Sequence, residues 1–220
     1  MKEAKDIRTI LNNFISKITP EDDIRVLERE EKLQEEKRLA HYRQTVPERF
    51  FKESIDTYRI DNSEKYNASN KTRLFIKAVK CRKFTTLIFL GSVGTGKTHL
   101  ACGIIRECGG LYKLASSIVE EIRRAKSFKA TETEADIFYN YGQTGLLIID
   151  EIGRTMSAMD EQYMIYQIIN ERYNRKKPTV LISNKTKKDF LQYVGVATAD
   201  RLIESAEVVE LMGVSYRAII

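Results

Sequence analysis

The residues best suited to chemistry in this chain of 220 residues form a glycine-rich run that fits G-x-x-x-x-G-K-[ST]. The run consists of Gly91, Ser92, Val93, Gly94, Thr95, Gly96, Lys97 and Thr98. Glycines let a loop wrap phosphate oxygens with its backbone N–H groups, because a Cβ would clash with phosphate or forbid the required φ angles. The pattern predicts that Lys97 binds the β- and γ-phosphates of ATP, that Thr98 binds Mg²⁺, and that the adjacent His99 also contacts the nucleotide.

Two acidic residues, Asp150 and Glu151, follow an apolar run at residues 146–149. Four consecutive apolar residues are typical of a buried parallel strand, and ligands of such sheets bind at the carboxyl edge. We expect Asp150 to hold Mg²⁺ through water and Glu151 to polarise the attacking water. The plainer alternative is that both acids are simply solvated at the end of a strand.

Two further polar residues could complete an ATPase site. Asn184 closes a predicted strand that begins at Thr179, where its amide could orient the attacking water, although Asn also ends strands as a turn residue. Arg201 could reach the γ-phosphate bound by a neighbouring subunit, as an arginine finger does. A salt bridge on a helix surface is the competing interpretation for Arg201.

The elements that must position these residues alternate between strands and helices from residue 85 onward. Apolar runs predict five strands, near residues 87–90, 111–115, 146–149, 180–182 and 208–211. Such alternation predicts an α/β fold with a parallel five-stranded sheet and helices on both faces. Turn-forming residues at 67–70 place a short helix at residues 74–79 just before the first strand.

The N-terminal residues predict a helical arm. Six apolar residues between Ile7 and Ile18 share one face of a first helix, and a mostly charged second helix runs from Pro20 to about Tyr42. The apolar stripe either folds back onto the protein or docks a partner protein. We therefore divide the chain into a partner-binding arm at residues 1–45, a linker with the short helix at 46–84, and an ATP-binding domain at 85–220.

Composition points to a globular, cytoplasmic protein that does not enter a membrane. No apolar run approaches the roughly 20 residues needed to span a bilayer, and the three cysteines lack metal-binding spacing. Lys and Arg exceed Asp and Glu by 37 − 31 = 6. Residues 1–45 hold ten of each sign, so residues 46–220 carry the whole excess of 27 − 21 = 6, which would attract a polyanion.

One cationic stretch has the composition of a DNA contact. Residues 123–129 contain Arg123, Arg124, Lys126 and Lys129 around the aromatic Phe128. Cations bind the phosphate backbone of single-stranded DNA, and an aromatic ring can stack on a base. A solvated helix end would have the same composition, and that alternative stays open.

The glycine-rich run, the acid pair, Asn184 and Arg201, in this order and spacing, resemble the AAA+ ATPases, and more narrowly the DnaC helicase-loader and IstB-like group. Four further segments are each similar to stretches typical of that group. They are residues 147–153, 166–173, 183–184 and 215–217. The resemblance covers most of residues 54–217 and implies a P-loop AAA+ core without a full lid domain. It implies the roles given above for Lys97, Thr98, Asp150, Glu151, Asn184 and Arg201, and it adds Arg217 as a nucleotide contact within the same subunit.

The resemblance also implies a function. Such a loader binds a hexameric replicative DNA helicase, loads it onto single-stranded DNA, hydrolyses ATP weakly, and self-associates through Arg201 in trans. One departure is Ala197, which stands where the group would offer a second arginine near the finger. Two rival hypotheses remain: an IstB-like ATPase that assists transposition on DNA, and an ATP-gated protein adaptor that does not hydrolyse.

Overall fold

The computed structural model describes residues 20–127, 130–213 and 215, with side chains from residue 25 onward. The predicted first helix, the pair Phe128 and Lys129, and Arg217 lie outside these described residues. The chain divides into two compact units, residues 1–41 and residues 42–220. Each unit is built from its own contacts.

The described part of the first unit is helical. Helix α1, Pro20–Thr45, begins in this unit and ends in the second. Every side chain at residues 25–37 is exposed. Charged residues dominate this stretch, so the helix has little apolar surface to bury, as the sequence led us to expect.

The second unit alternates strands and helices. Its strands are β1 (Thr86–Gly91), β2 (Leu111–Leu114), β3 (Leu147–Ile152), β4 (Thr179–Ser183) and β5 (Ala206–Leu211). Its helices are α2 (Ser63–Lys80), α3 (Lys97–Cys108), α4 (Ala115–Ala125), α5 (Glu134–Gln143), α6 (Ala158–Asn174), α7 (Lys187–Val194) and α8 (Val196–Ser205). A short 3₁₀ helix, Glu48–Phe50, lies between α1 and α2.

The five strands form one parallel sheet in the order β2-β3-β4-β1-β5. Parallel strands point their carboxyl ends to a common edge. At that edge β1 leads into the glycine-rich loop, β3 carries Asp150 and Glu151, and β4 is followed by Asn184. The predicted P-loop AAA+ fold with a parallel five-stranded sheet is confirmed.

Apolar side chains cover both faces of the sheet. One core contains Phe89, Leu100 and Ile148 and packs beneath helices α2 and α3. The other contains Ile88, Ile149 and Ile168 and packs beneath helices α4 to α8. Successive strand residues point to opposite faces, so each buried strand feeds both cores, and this explains the uninterrupted apolar runs in the sequence.

Two predicted element boundaries were wrong. The short helix expected at residues 74–79 begins at Ser63, because the Asn62 side chain accepts a hydrogen bond from the Lys65 amide at 2.9 Å and caps a much longer helix. Ala68 and Ser69, which were predicted to lie in a turn, are buried within this helix. Small side chains there allow close packing of α2 on its neighbours, and tertiary packing overrides their local turn preference.

The third strand also differs from its prediction. We expected the strand to end in the two acids, but β3 continues one residue past them, to Ile152. The pairing register with β4 shifts between Ile149 and Ile152, so the ladder of hydrogen bonds skips the acids and resumes at Ser183.

None of the described helices combines the length and apolar character that a membrane span requires.

Candidate nucleotide-binding site

The glycine-rich loop connects β1 directly to α3. Gly91, Gly94 and Gly96 have φ angles of 115°, 80° and 93°, which L-amino acids with a Cβ rarely adopt. A Cβ on Gly96 would also lie 2.5 Å from the Tyr58 ring. Glycine is therefore required at these positions by the backbone of the loop and, at Gly96, by close packing.

Lys97, the first residue of α3, is held inside the loop. Its side chain is only 5% exposed, and Nζ donates hydrogen bonds to the carbonyl oxygens of Gly91 and Ser92 at 2.8 and 2.6 Å. Burial lowers the pKa of Lys97 to about 8, and the nearby Asp150 carboxylate opposes this shift. A cation is thus positioned where the loop would receive phosphate.

Asp150 lies at the centre of a hydrogen-bond network. Its Oδ2 accepts from the Thr98 hydroxyl at 2.8 Å and from the Tyr112 hydroxyl at 2.7 Å, and its Oδ1 accepts from the Glu151 amide at 2.6 Å. Burial raises the pKa of Asp150, while these three hydrogen bonds lower it. The network aligns the carboxylate beside Thr98, so the two predicted metal-binding residues are adjacent.

Sequence reasoning missed Tyr112. This residue lies on β2, is 5% exposed, and donates its hydroxyl to the predicted metal-binding carboxylate. In the parallel register of β2 and β3, Leu114 pairs with Asp150, so Tyr112 lies two residues earlier on the same face. The pairing order of the strands would have been needed to find it, because nothing in the local sequence links Tyr112 to Asp150.

Glu151 differs from Asp150 in both backbone and environment. Its φ of 60° is unusual for a residue with a side chain and costs on the order of 1–3 kcal/mol. Two hydrogen bonds hold the adjacent backbone: Ser183 Oγ donates to the Ile152 carbonyl at 2.7 Å, and the Gly153 amide donates to Glu161 at 2.5 Å. The two acids therefore face different surroundings, with Asp150 buried and Glu151 half-exposed.

The Glu151 carboxylate has an ion-pair partner. Arg154 Nη1 lies 2.9 Å from Glu151 Oε1, and both side chains are partly exposed to solvent. Asn184 lies in the same cleft, which has a volume of about 200 Å³ and also includes residues of the loop. The carboxyl edge of the sheet thus brings together Lys97, Glu151 and Asn184, although β1, β3 and β4 are far apart in sequence.

His99 lines the edge of this cleft, but its ring contacts the segment before α2. Nδ1 lies 2.8 Å from Glu53 Oε2, and Nε2 lies 2.8 Å from the Ser54 carbonyl oxygen. The ring also packs edge-on against Tyr58. His99 therefore connects the helix that follows the P-loop to residues 53–58, in addition to its predicted place beside the nucleotide.

Arg201 lies away from the cleft of its own chain. Its Nη1 donates to the Ala197 carbonyl at 2.8 Å, and its guanidinium lies over the Tyr166 ring at 5.4 Å. It lines a different cavity together with Thr86, at the amino end of β1, whereas the P-loop follows the carboxyl end. The structure therefore does not bring Arg201 into the P-loop cleft of its own chain.

The residues of the cleft fit ATP and Mg²⁺. Thr98 and Asp150 offer adjacent oxygen atoms, the donor type that Mg²⁺ prefers. Mg²⁺ retains several waters when it is bound and needs few protein ligands, so two oxygen donors are sufficient for it. The loop backbone and Lys97 offer donors for phosphate.

Known proteins resemble the chain in both sequence and fold. The replicative helicase loader DnaC of Escherichia coli K12 is 29% identical over 153 residues, which cover 68% of this chain and 62% of that protein. The chain therefore spans less than two thirds of this relative. The putative ATP-binding protein of insertion sequence IS5376 from Geobacillus stearothermophilus is 31% identical over 177 residues, covering 76% of this chain and 68% of that protein.

A solved structure shows the same fold. The crystal structure of the DnaC helicase loader matches with a TM-score of 0.66 at 20% identity, covering 75% of this chain and 99% of that one. A family model described as IstB-like ATP binding protein matches residues 19–219. The glycine-rich loop, the buried lysine and the acid pair at the sheet edge agree with that match, and the protein belongs to the family of IstB-like ATP-binding proteins.

Proposed function

We propose that this protein is a DnaC-type loader that uses weak, Mg²⁺-dependent ATP hydrolysis to place a hexameric replicative helicase on single-stranded DNA. The observation that carries the ATPase part is the hydrogen bond between Thr98 and Asp150 at 2.8 Å, beside the buried ammonium of Lys97. The similarity to DnaC over 68% of the chain supports the loader part.

Each residue of the cleft has a distinct task in this proposal. Lys97 and the loop amides bind the β- and γ-phosphates, and Thr98 and Asp150 hold Mg²⁺. The metal, when bound, neutralises charge on the phosphates. Glu151 accepts the proton of the attacking water, and Asn184 orients that water. The ion pair with Arg154 must open before Glu151 can act as a base, because the guanidinium occupies one of its carboxylate oxygens.

The proposal assigns the remaining parts of the chain to partners. Residues 1–45 bind the helicase, residues 46–84 connect this arm to the site, and residues 85–220 bind ATP. Arg201 acts in trans on the site of a second copy, which is supported by its position away from its own cleft. Arg217 contacts the nucleotide in cis.

A second candidate function has its own support. The relative from IS5376 is 31% identical over a longer stretch of this chain than DnaC is. A transposition helper would assemble on DNA with ATP and would have no affinity for a helicase. A non-hydrolysing adaptor would bind its partner equally well with and without an intact Glu151.

A loading assay tests these functions against each other. The full chain is mixed with a hexameric replicative helicase, circular single-stranded DNA and ATP, and helicase retained on the circle is measured after gel filtration. We expect loading by the wild type, none with Lys97→Ala, and slow or arrested loading with Glu151→Gln. Assembly of this chain on DNA with ATP, together with no binding to the helicase, would favour the transposition helper. Unchanged behaviour of Glu151→Gln would favour the adaptor.

A further inference from the structure

One segment of the chain is rich in cations and contains no acidic residue. Residues 71–83 contain six Lys and Arg and no Asp or Glu, so this segment alone carries a charge of +6, equal to the net charge of the whole chain. It comprises the second half of helix α2 and the turn that leads to β1. So many positively charged side chains without a negatively charged one are unusual for a surface helix, where charges of both signs normally alternate.

The structure leaves five of these cations exposed, and we call these five residues the basic face. Its members are Arg73, Lys77, Lys80, Arg82 and Lys83, and all are exposed. The first three recur at helical spacings of four and three, which aligns them along one side of α2. Lys71 is not a member, because its ammonium binds the Val208 carbonyl oxygen and the Glu207 carboxylate.

Neighbouring acids neutralise this face only in part. Arg73 pairs with Asp56 and Lys80 pairs with Glu107, and the side chains in both pairs are 43–82% exposed. Exposed pairs of this kind contribute about 1 kcal/mol or less, so a phosphate can replace the carboxylate. Lys77, Arg82 and Lys83 form no ion pair with any described residue.

The rest of the exposed surface of α2 is also suited to a nucleic-acid strand. Asn67 and Asn70 offer amide groups, and Tyr66 is 60% exposed. Amides hydrogen-bond to phosphate and sugar, and an exposed tyrosine can stack on a base. A cavity of about 390 Å³ borders the basic face and is lined by Arg73, Lys77 and Lys80. A face that only kept the protein soluble would not need these groups together.

We propose that the basic face of α2 binds the sugar-phosphate backbone of single-stranded DNA without regard to sequence. The inference rests on the proposed function only in taking DNA as the polyanion that the chain meets, and it holds equally for a loader and for a transposition helper. It locates the DNA contact on the side of the sheet that α2 and α3 cover.

The cationic stretch noted in the sequence lies on the opposite side. Arg123 and Arg124 belong to α4, which packs on the other face of the sheet. Arg123 binds Asp160 at 2.6 Å, and Arg124 pairs with Glu120. Lys126 lies 3.5 Å from Glu134. All three cations thus have acidic partners, so this stretch offers less free positive charge than the basic face.

The two surfaces provide a matched pair of variants. The test variant carries Lys77→Gln, Arg82→Gln and Lys83→Gln, and the control carries Arg123→Gln, Arg124→Gln and Lys126→Gln. Each loses three positive charges, and none of these residues belongs to the nucleotide cleft. Binding of the full chain to fluorescent oligo-dT is measured by anisotropy over a range of salt concentrations, with thermal melting and ATP binding as checks on folding.

We expect the test variant to lose at least about tenfold in affinity at low salt, and the slope of log K against log salt to fall by about 2, since each phosphate contact on a single strand contributes about 0.7. The affinity of the control variant should change by less than about threefold.

Equal losses of affinity in both variants, a loss in the control alone, or no binding of DNA by the wild type would overturn the inference. Loss of binding to phosphatidylserine vesicles with unchanged DNA binding would overturn it in favour of a membrane surface. ATP binding would remain intact in each case, which separates this failure from failure of the proposed ATPase.

Discussion

Replacing Tyr112 with phenylalanine tests whether the hydroxyl on β2 positions Asp150, the carboxylate that we propose to hold Mg²⁺. The change removes one donor, 2.7 Å from Asp150 Oδ2, and leaves the ring in the core. A hydrogen bond to a charged group contributes about 1.5–3 kcal/mol net. Thr98 and the Glu151 amide still bind Asp150, so we expect a loss of about 2 kcal/mol in the free energy of unfolding. For a chain of this size, that loss lowers Tm by about 4–8 °C.

The effect on the metal should be separable from the effect on stability. Groups that orient a metal ligand typically change metal affinity by about 10–100-fold when removed. We therefore expect Tyr112→Phe to raise the Mg²⁺ concentration needed for tight nucleotide binding by about tenfold. Binding of nucleotide in EDTA, which depends on Lys97 and the loop amides, should not change. Titration with a fluorescent ATP analogue at fixed Mg²⁺ concentrations measures both quantities.

Tyr141→Phe is the matched control. Tyr141 is also 5% exposed and also donates its hydroxyl to a carboxylate, that of Glu121, but it packs in the core on the other side of the sheet. This variant should lose a similar amount of stability with an unchanged Mg²⁺ requirement. If Tyr112→Phe melts like the wild type, or if both variants shift the Mg²⁺ midpoint equally, Tyr112 does not position Asp150.

Three further changes test other parts of the structure. Arg172→Met should lower the free energy of unfolding by more than about 3 kcal/mol, because the buried Arg172 loses five hydrogen bonds, four to backbone carbonyls and one to Thr179. A loss below about 1 kcal/mol in urea unfolding would contradict this. Gly96→Ala should weaken ATP binding at least about tenfold, because the new Cβ would be strained against the Tyr58 ring. Gly145→Ala is the control and should not weaken binding, because no atom lies within 4 Å of the Cβ that it adds. Calorimetry measures both affinities. Arg201→Ala should spare ATP binding and abolish turnover of the assembled protein; full turnover would exclude a finger in trans.

The active-site motifs could be recognised from sequence because each depends on residues adjacent in the chain. The glycines before Lys97 specify backbone φ angles locally, and the apolar run before Asp150 specifies a buried strand. The alternation of such runs with helices was sufficient to predict the parallel sheet. The helix over residues 63–80 was largely missed, because its small polar residues favour turns locally and become helical only when packed against the sheet.

The sequence by itself determined that this chain has a phosphate-binding loop, an acid pair and a five-stranded α/β fold. The tertiary structure decided which residues support them. Tyr112 reaches Asp150 only because β2 pairs with β3, and the basic face exists only because α2 turns its cations outward while its small residues pack inward. Both depend on contacts between residues distant in sequence, and no local pattern of residue types encodes them.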